Sequence, residues 1–153
     1  MKNHLFLICI VMICALLCTS CASRKEYSSG RDTVKSYGNG EYQLLKDSYS
    51  LTLVNQKYES CLMNDVEIYE NKNNILYVLG THYNIPVWIK TDIKTGRSEY
   101  YILQDGVTVD DLYIFNKNIM KESGNFLFIT STDTLSEQNE KILEEMKKRI
   151  IQD

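Results

Sequence analysis

The chain has 153 residues, a formal net charge of −3 and five cysteines. Its length suits a single domain that buries a core of its own. The 17 basic residues are scattered among 20 acidic ones. The chain therefore lacks the basic patch of a nucleic-acid-binding protein, and we expect no nucleic acid as a partner.

The N-terminal segment has the pattern of a secretory signal. Lys2 is followed by an uncharged apolar run from Leu5 to Leu17, and small residues come next. A basic start, a short apolar run and small residues are typical of a signal peptide. The run is shorter than the roughly 20 residues that cross a bilayer as a helix. An uncleaved membrane anchor is therefore the weaker alternative.

The residues after the apolar run carry a resemblance to a known class of proteins. Thr19 and Ser20 precede Cys21, and this stretch resembles the lipobox of bacterial lipoproteins, although Cys18 stands where that family usually has Leu. The resemblance implies a signal peptide at 1–20 and acyl chains such as palmitate on Cys21. It also implies a membrane-anchored location in the bacterial cell envelope, periplasmic or surface-facing. Secretion without lipidation, by cleavage after Ala22, is the rival interpretation.

Residues 21–36 are predicted to form the lipidated cysteine and a polar tether. Each buried methylene contributes about 0.8 kcal/mol, so stable attachment takes more than one acyl chain. Residues 22–36 are mostly polar, and a flexible coil of about 15 residues spans roughly 20 Å. Residues 37–153 are then predicted to form one globular, β-rich domain.

Much of this domain shows the apolar–polar alternation of half-buried strands. In one candidate strand, Tyr49, Leu51 and Leu53 share a face. The clearest hairpin covers 85–103, where Gly96 takes the positive φ that its loop requires. The strand candidates are 41–46, 49–54, 74–80, 85–92, 97–103 and 125–131.

The remaining stretches complete the predicted fold. Residues 60–70 and 108–120 mix both periods and fit either a strand or a short helix. A capping box of Thr134 and Glu137 opens a predicted helix at 134–151. Its apolar stripe at helical spacing consists of Leu135, Ile142, Leu143, Met146 and Ile150. The predicted class is α+β, an antiparallel meander of five to seven strands with the C-terminal amphipathic helix packed on one face.

Beyond the signal peptide, the chain offers few groups for catalysis or metal binding. Cys61 is the only thiol besides Cys21, which excludes a disulfide framework within one chain, and His82 is the only histidine. A zinc site needs three or four such ligands. A Cys61–His82 pair of nucleophile and base is a possible site, but neither residue stands in a known signature. We predict no catalytic residue, no metal and no cofactor.

The acidic residues supply two minor possibilities. Asp105, Asp110 and Asp111 are near one another in the sequence but lack the spacing of a calcium loop. Carboxylates between Asp65 and Glu70 are available to a hydrolase of wall sugars. Scattered acids are the ordinary content of a protein surface, so both interpretations are secondary.

The candidate binding surface lies on or beside the central hairpin. It consists of Trp88, Tyr100, His82 and Tyr83. Trp88 faces the side opposite to its two apolar neighbours, where it forms an interface hot spot or is covered by the C-terminal helix. His82 belongs to the predicted turn "GTHYNIP" and is expected to be exposed. On the hot-spot interpretation, changing Trp88 or Tyr100 to alanine abolishes binding and leaves the fold intact.

These observations predict a function by location and by exclusion. The leading hypothesis is a small, non-enzymatic envelope lipoprotein that binds a protein partner, as an inhibitor or an immunity protein does. The alternatives are an accessory subunit of an envelope complex, or a cell-wall or periplasmic hydrolase. The sequence does not separate the first two, because both require only an exposed binding surface.

Overall fold

The fold is described by a computed structural model for residues 26–107 and 135–152, together with the backbone of a strand at 126–129. In this part of the chain, nine strands form two sheets and one helix follows them. The first sheet contains β1 (Thr33–Tyr37), β2 (Tyr42–Lys46), β3 (Leu51–Asn55) and β4 (Ser60–Met63). The second contains β5 (Asp65–Lys72), β6 (Ile75–His82), β7 (Ile85–Asp92), β8 (Arg97–Ile102) and β9 (Phe126–Ile129), and the helix is α1 (Glu137–Gln152).

The predicted α+β class is confirmed, and the meander is confirmed in outline. Strands β1 to β8 pair in sequence order with antiparallel neighbours inside each sheet, whereas β9 joins β8 in parallel. The described residues contain nine strands, against the five to seven predicted. The undecided stretch 60–70 contains two strands, β4 and the start of β5. The other undecided stretch, 108–120, lies outside the described residues.

The strands run between two ends of the domain, which we call the near end and the far end. The near end holds the turns at 38–41, 56–59, 73–74 and 93–96. The far end holds the turns at 47–50 and 83–84 and the residues that follow β8, 103–106. The chain meets the folded domain at the near end, where the Tyr27 amide donates to the Asn39 carbonyl at 2.9 Å.

The predicted tether at 21–36 is too long. Strand β1 begins at Thr33, and the side chain of Gln43 holds the segment that precedes it. The buried Gln43 amide donates to the Ser28 carbonyl at 3.3 Å and accepts from the Thr33 hydroxyl at 3.3 Å. The polar segment before β1 therefore belongs to the folded domain, because the buried Gln43 side chain supplies hydrogen bonds that water would otherwise make with this segment.

The apolar core between the two sheets uses one face of each. Tyr42, Leu44 and Leu53 project from the first sheet, and Val78 and Ile89 are among the side chains that meet them from the second. All five are at most 1% exposed. This core follows from the period-two alternation that the sequence shows.

A second apolar cluster lies on the opposite face of the second sheet. It joins Leu143 and Met146 of α1 to side chains of β6, β7 and β8, which are Tyr77, Leu79, Trp88 and Tyr101. Asn139 donates to the Tyr101 hydroxyl at 3.4 Å, and Arg149 forms an ion pair with Glu70 at 2.6 Å. The second sheet therefore buries apolar side chains on both faces.

The helix begins later than the capping box predicted. Its first residue is Glu137, and its N-cap is Ser136, whose hydroxyl accepts from the Asn139 amide at 3.3 Å. Thr134, the predicted cap, lies outside the described residues. Either hydroxyl suits the position chemically. The helix is too short and too polar to cross a bilayer, and no other helix occurs in the described ranges.

Candidate functional site

The structure separates the four residues of the predicted binding surface. Trp88, Tyr100 and His82 are each at most 1% exposed, whereas Tyr83 is 65% exposed. The expected exposure is therefore wrong for Tyr100 and His82, and of the two interpretations of Trp88 the exposed hot spot is wrong.

Trp88 is fully buried and belongs to the second apolar cluster. Its indole stacks on the Tyr77 ring with centroids 5.9 Å apart and contacts the Tyr101 ring at 5.0 Å. The strand alternation does turn Trp88 away from Val87 and Ile89, as expected. That face carries the second apolar cluster instead of contacting water.

Tyr100 is buried on the other face, between the two sheets. Its hydroxyl donates to the Leu62 carbonyl at 3.2 Å, which ties β8 to the first sheet. Burial, with a smaller contribution from Cys61, raises the pKa of Tyr100 well above its ordinary value. The phenol is thus a neutral, structural donor.

His82 ends strand β6 and points into the interior instead of standing in an exposed loop. Neither ring nitrogen has a hydrogen-bond partner among the described residues. Burial lowers the pKa of His82 from 6.5 to about 4, because desolvation penalises the charged imidazolium. The ring edge meets the Tyr83 ring at a centroid distance of 4.8 Å.

The state of His82 predicts a pH dependence of stability. Its folded pKa lies below the unfolded value, so the unfolded chain binds the extra proton between about pH 6.5 and 4. Stability is therefore complete above pH 6.5 and is lost as the pH falls towards 4. We expect this group to remove about 2 kcal/mol between pH 7 and pH 5.

Urea unfolding of the wild type and of His82→Leu at pH 7 and pH 5 measures this dependence. The comparison isolates the histidine, because every other titrating group is common to both proteins. Equal pH dependence in the two proteins would show that His82 is solvated or paired when folded.

Cys61 is half-buried on β4, opposite Val54 of β3, and its thiol is free. Burial raises the pKa of the Cys61 thiol, so the nucleophilic thiolate is disfavoured at neutral pH. No hydrogen bond joins it to His82, whose nitrogens have no partner in the described residues. The structure therefore does not assemble the Cys61–His82 pair, since a base must lie within hydrogen-bond reach of its nucleophile.

The carboxylates are also dispersed. The described residues contain no group of three or more His, Cys, Asp and Glu side chains that could hold a metal ion. Glu70 pairs with Arg149, and Glu99 accepts hydrogen bonds from Lys90 at 3.2 Å and from Tyr101 at 2.8 Å. Of the three aspartates considered for a calcium site, Asp105 is described, whereas Asp110 and Asp111 lie outside the described residues.

The exposed aromatic side chains gather at the far end. Tyr83 in the β6–β7 turn is 65% exposed, and Tyr49 in the β2–β3 turn is 99% exposed. The apolar–polar alternation of residues 49–54 predicts Tyr49 on the core face of a strand, and this prediction is wrong. The Asp47 carboxylate instead accepts from the Tyr49 and Ser50 amides at 2.7 and 2.8 Å and forms a turn. An aspartate two residues upstream is the sequence signal that indicates such a turn.

A polar bridge connects the Tyr83 turn to strand β3, which follows the Tyr49 turn. The Asn64 side chain accepts from the Tyr83 amide at 2.7 Å, and the Asn64 carbonyl accepts from the Thr52 hydroxyl at 3.2 Å. Thr52 lies in β3, two residues after the turn that carries Tyr49. Asn64 thereby brings the far ends of both sheets together.

Within the described ranges, the far end carries more acid than base. Its described acidic residues are Asp32, Asp47, Asp65 and Asp105, and its described basic residues are Arg31 and Lys46. Backbone amides hold the pKa of the Asp47 carboxyl below its usual value, so it stays ionised. A shallow depression of about 570 Å³ lies beside the Tyr49 turn. It is lined by Arg31, Asp32, Thr33, Val34, Lys46, Asp47 and Ser48.

Comparison with protein families, with characterised proteins and with solved structures gives no match to this chain. A functional conclusion therefore depends on the chain's own residues.

Proposed function

We propose that this protein is a small lipoprotein of the bacterial cell envelope, anchored through acylated Cys21, and that its domain binds a protein partner without catalysing a reaction. The observation that carries the proposal is the lipobox-like stretch ending at Cys21, followed closely by a folded domain. A role as an inhibitor or immunity protein requires a compact surface held at the membrane. The architecture suits that requirement.

The distance between the anchor and the domain supports this proposal. Five residues separate Cys21 from Tyr27, whose amide makes a backbone contact with the domain at the near end. Six residue steps reach at most about 20 Å when fully extended. The near end is therefore held close to the bilayer, whereas the far end is free to face a partner that arrives from solution.

The location of the polar groups supports binding rather than catalysis. In the described residues, His82 and Tyr100 are interior groups, and the Cys61 thiol has a raised pKa. The side chains that face solvent as large aromatics are Tyr49 and Tyr83. Exposed tyrosines supply contact area together with a hydrogen-bonding tip, which is what protein interfaces favour.

We further propose that α1 packs on one face of the second sheet as a fixed cover. Leu143 and Met146 share a buried cluster with Trp88, and Asn139 and Arg149 make polar contacts with the sheet. On this proposal the apolar stripe is used inside the domain and is not offered to a partner helix. Binding is then left to the loops at the ends of the sheets.

The anchor is tested by replacing Cys21. We expect Cys21→Ala to lose metabolic labelling with a palmitate analogue and to move from the membrane fraction to the soluble fraction, because the acyl chains supply the attachment. Cys18→Ala is the matched control and should remain labelled and membrane-bound. Labelling of Cys21→Ala at wild-type level would refute the lipoprotein assignment.

The binding role is tested by crosslinking the full lipoprotein in native membranes and identifying its partners by mass spectrometry. One stoichiometric protein that is lost with Cys21→Ala supports the proposal. Recovery of a whole resident membrane complex would favour an accessory subunit instead. A membrane-attached protein that captures no partner, but turns over a wall or periplasmic substrate, would overturn the non-enzymatic role.

A further inference from the structure

We infer that the far end is the partner-binding site, with Tyr49 and Tyr83 as its contact residues, and that the partner is a protein presenting a basic surface. The inference rests on the proposed function and names the site and the chemistry of its partner. Four observations carry it: backbone conformation, exposure, loop composition and charge.

The backbone of Tyr83 is unusual for a bulky residue. Tyr83 and Asn84 have φ values of 48° and 65° in the β6–β7 turn. The neighbouring β5–β6 turn has the same form, with φ values of 53° and 64°, and uses Asn73 and Asn74. Asparagine tolerates this left-handed conformation, whereas a tyrosine is strained in it. The same fold thus contains an unstrained version of the turn in which Tyr83 is placed.

A bulky residue in a strained backbone conformation is usually explained by the packing of its side chain in the core, and Tyr83 is too exposed for that explanation. Its side chain is 65% exposed, and the ring contact that the structure shows is with the edge of His82. Core packing does not explain a ring that remains largely in water. Residues in strained backbone conformations cluster at binding sites, and the second exposed aromatic, Tyr49, stands at the same end.

The two turns lie at the same end of the domain and share a recognisable composition. Asn64 bonds the Tyr83 amide and the hydroxyl of Thr52, a residue of the strand that follows the Tyr49 turn. The loop sequences "DSYS" and "HYN" are rich in Tyr, Ser and Asn. These are the residues that antibody-type binding loops use at the end of a β-sandwich, because tyrosine gives contact area at a low entropy cost. A protein surface is the ligand that such protruding loops fit.

The charge of the far end selects the kind of protein. Among the described residues, four aspartates and two basic residues lie there. Complementary potential speeds encounter and fixes orientation. A partner with a basic patch is therefore favoured over an acidic one, and its binding should weaken as salt is added.

The test uses the full lipoprotein in native membranes with benzoylphenylalanine, a photocrosslinking residue, placed at position 49, 83 or 94. Position 94 is the matched control, because Lys94 is an exposed turn residue at the near end. We expect one protein, with an excess of basic residues, to crosslink from positions 49 and 83 but not from position 94. That protein is then purified and titrated with the wild type and with Tyr83→Asn.

We expect Tyr83→Asn to weaken binding at least about 30-fold, the effect of a hot-spot residue. The same variant should melt about 3 °C higher than the wild type, because it restores the asparagine of the β5–β6 turn. Asn73→Tyr, the reverse change, should lower the melting temperature and leave binding intact. This pair separates a contact role from a structural one.

Several outcomes would overturn the inference. Crosslinks from position 94 alone would move the site to the near end while leaving the proposed function standing. A polysaccharide, a second copy of this chain or an acidic protein crosslinked at positions 49 and 83 would refute the stated partner. Unchanged affinity of Tyr83→Asn would show that Tyr83 does not contact the partner. A lower melting temperature of this variant would show that Tyr83 stabilises the fold and is not strained. No crosslink from any position would count against both the site and the binding role.

Discussion

Replacing Gly80 with alanine is expected to destabilise the domain strongly. A Cβ atom at this position would lie 2.0 Å from the Asp65 carbonyl oxygen and 2.8 Å from the Met63 sulfur. The register of β5 against β6 shifts between Val66 and Ile68, beside the Val66–Gly80 pair. The backbone has no room to yield here without breaking the strand pairing.

We expect Gly80→Ala to lower the free energy of unfolding by at least about 3 kcal/mol, the upper range for overpacking a core. Chemical unfolding followed by far-ultraviolet circular dichroism measures the loss. Gly30→Ala is the matched control, because a Cβ there meets its nearest atom at 4.0 Å, and it should be close to neutral. A Gly80→Ala protein as stable as the control would show that β5 and β6 do not approach as described.

Replacing Trp88 with alanine is expected to cost about 3–5 kcal/mol of stability, as removal of a large buried aromatic does. The indole is fully buried and contacts the rings of Tyr77 and Tyr101, and Met146 belongs to the same apolar cluster. Tyr49→Ala is the matched control, since that ring is 99% exposed and its loss should change stability by less than about 0.5 kcal/mol.

A double-mutant cycle extends this prediction to the helix. If α1 covers Trp88, then Trp88→Ala and Met146→Ala remove parts of the same cluster. Their effects should then couple by about 0.5–3 kcal/mol, as for residues in contact. Effects that add within about 0.5 kcal/mol would show that α1 does not lie on this face.

These stability effects replace the expectation that Trp88 and Tyr100 act as exposed binding residues. Loss of binding in alanine variants of either residue would now report unfolding, because both side chains are interior. Only Tyr83 of the original four is accessible to a partner without a change in the fold. Binding assays on Trp88 and Tyr100 variants therefore require a parallel measurement of stability.

The strands were the most predictable part of the fold. The β7–β8 hairpin lies at Ile85–Asp92 and Arg97–Ile102, with a φ of 73° at Gly96. This pattern is readable because both period-two alternation and a loop glycine are local properties of the chain. The strand at Thr33–Tyr37 was missed, because its polar residues pair with β2 at a sheet edge and show no alternation.

The candidate site was less predictable, since exposure depends on what covers each face. The alternation of side chains along a strand correctly predicted that Trp88 and Val87 lie on opposite faces of the sheet. It did not show which of the two faces is covered. Tyr49 looked like a core residue because it continued the alternation of Leu51 and Leu53. The Asp47 side chain ended that pattern by bonding the backbone at Tyr49 and Ser50.

The likeness to a lipoprotein signal, the α+β class and most strand positions are readable without a structure. Each of these depends on neighbouring residues or on a short periodic pattern. Three other features depend on the folded arrangement: the interior position of His82, the burial of side chains on both faces of the second sheet, and the placement of Tyr49 and Tyr83 at one end. Those facts arise from contacts between residues far apart in the chain. In such contacts, burial of apolar surface and satisfaction of backbone polar groups outweigh local preference.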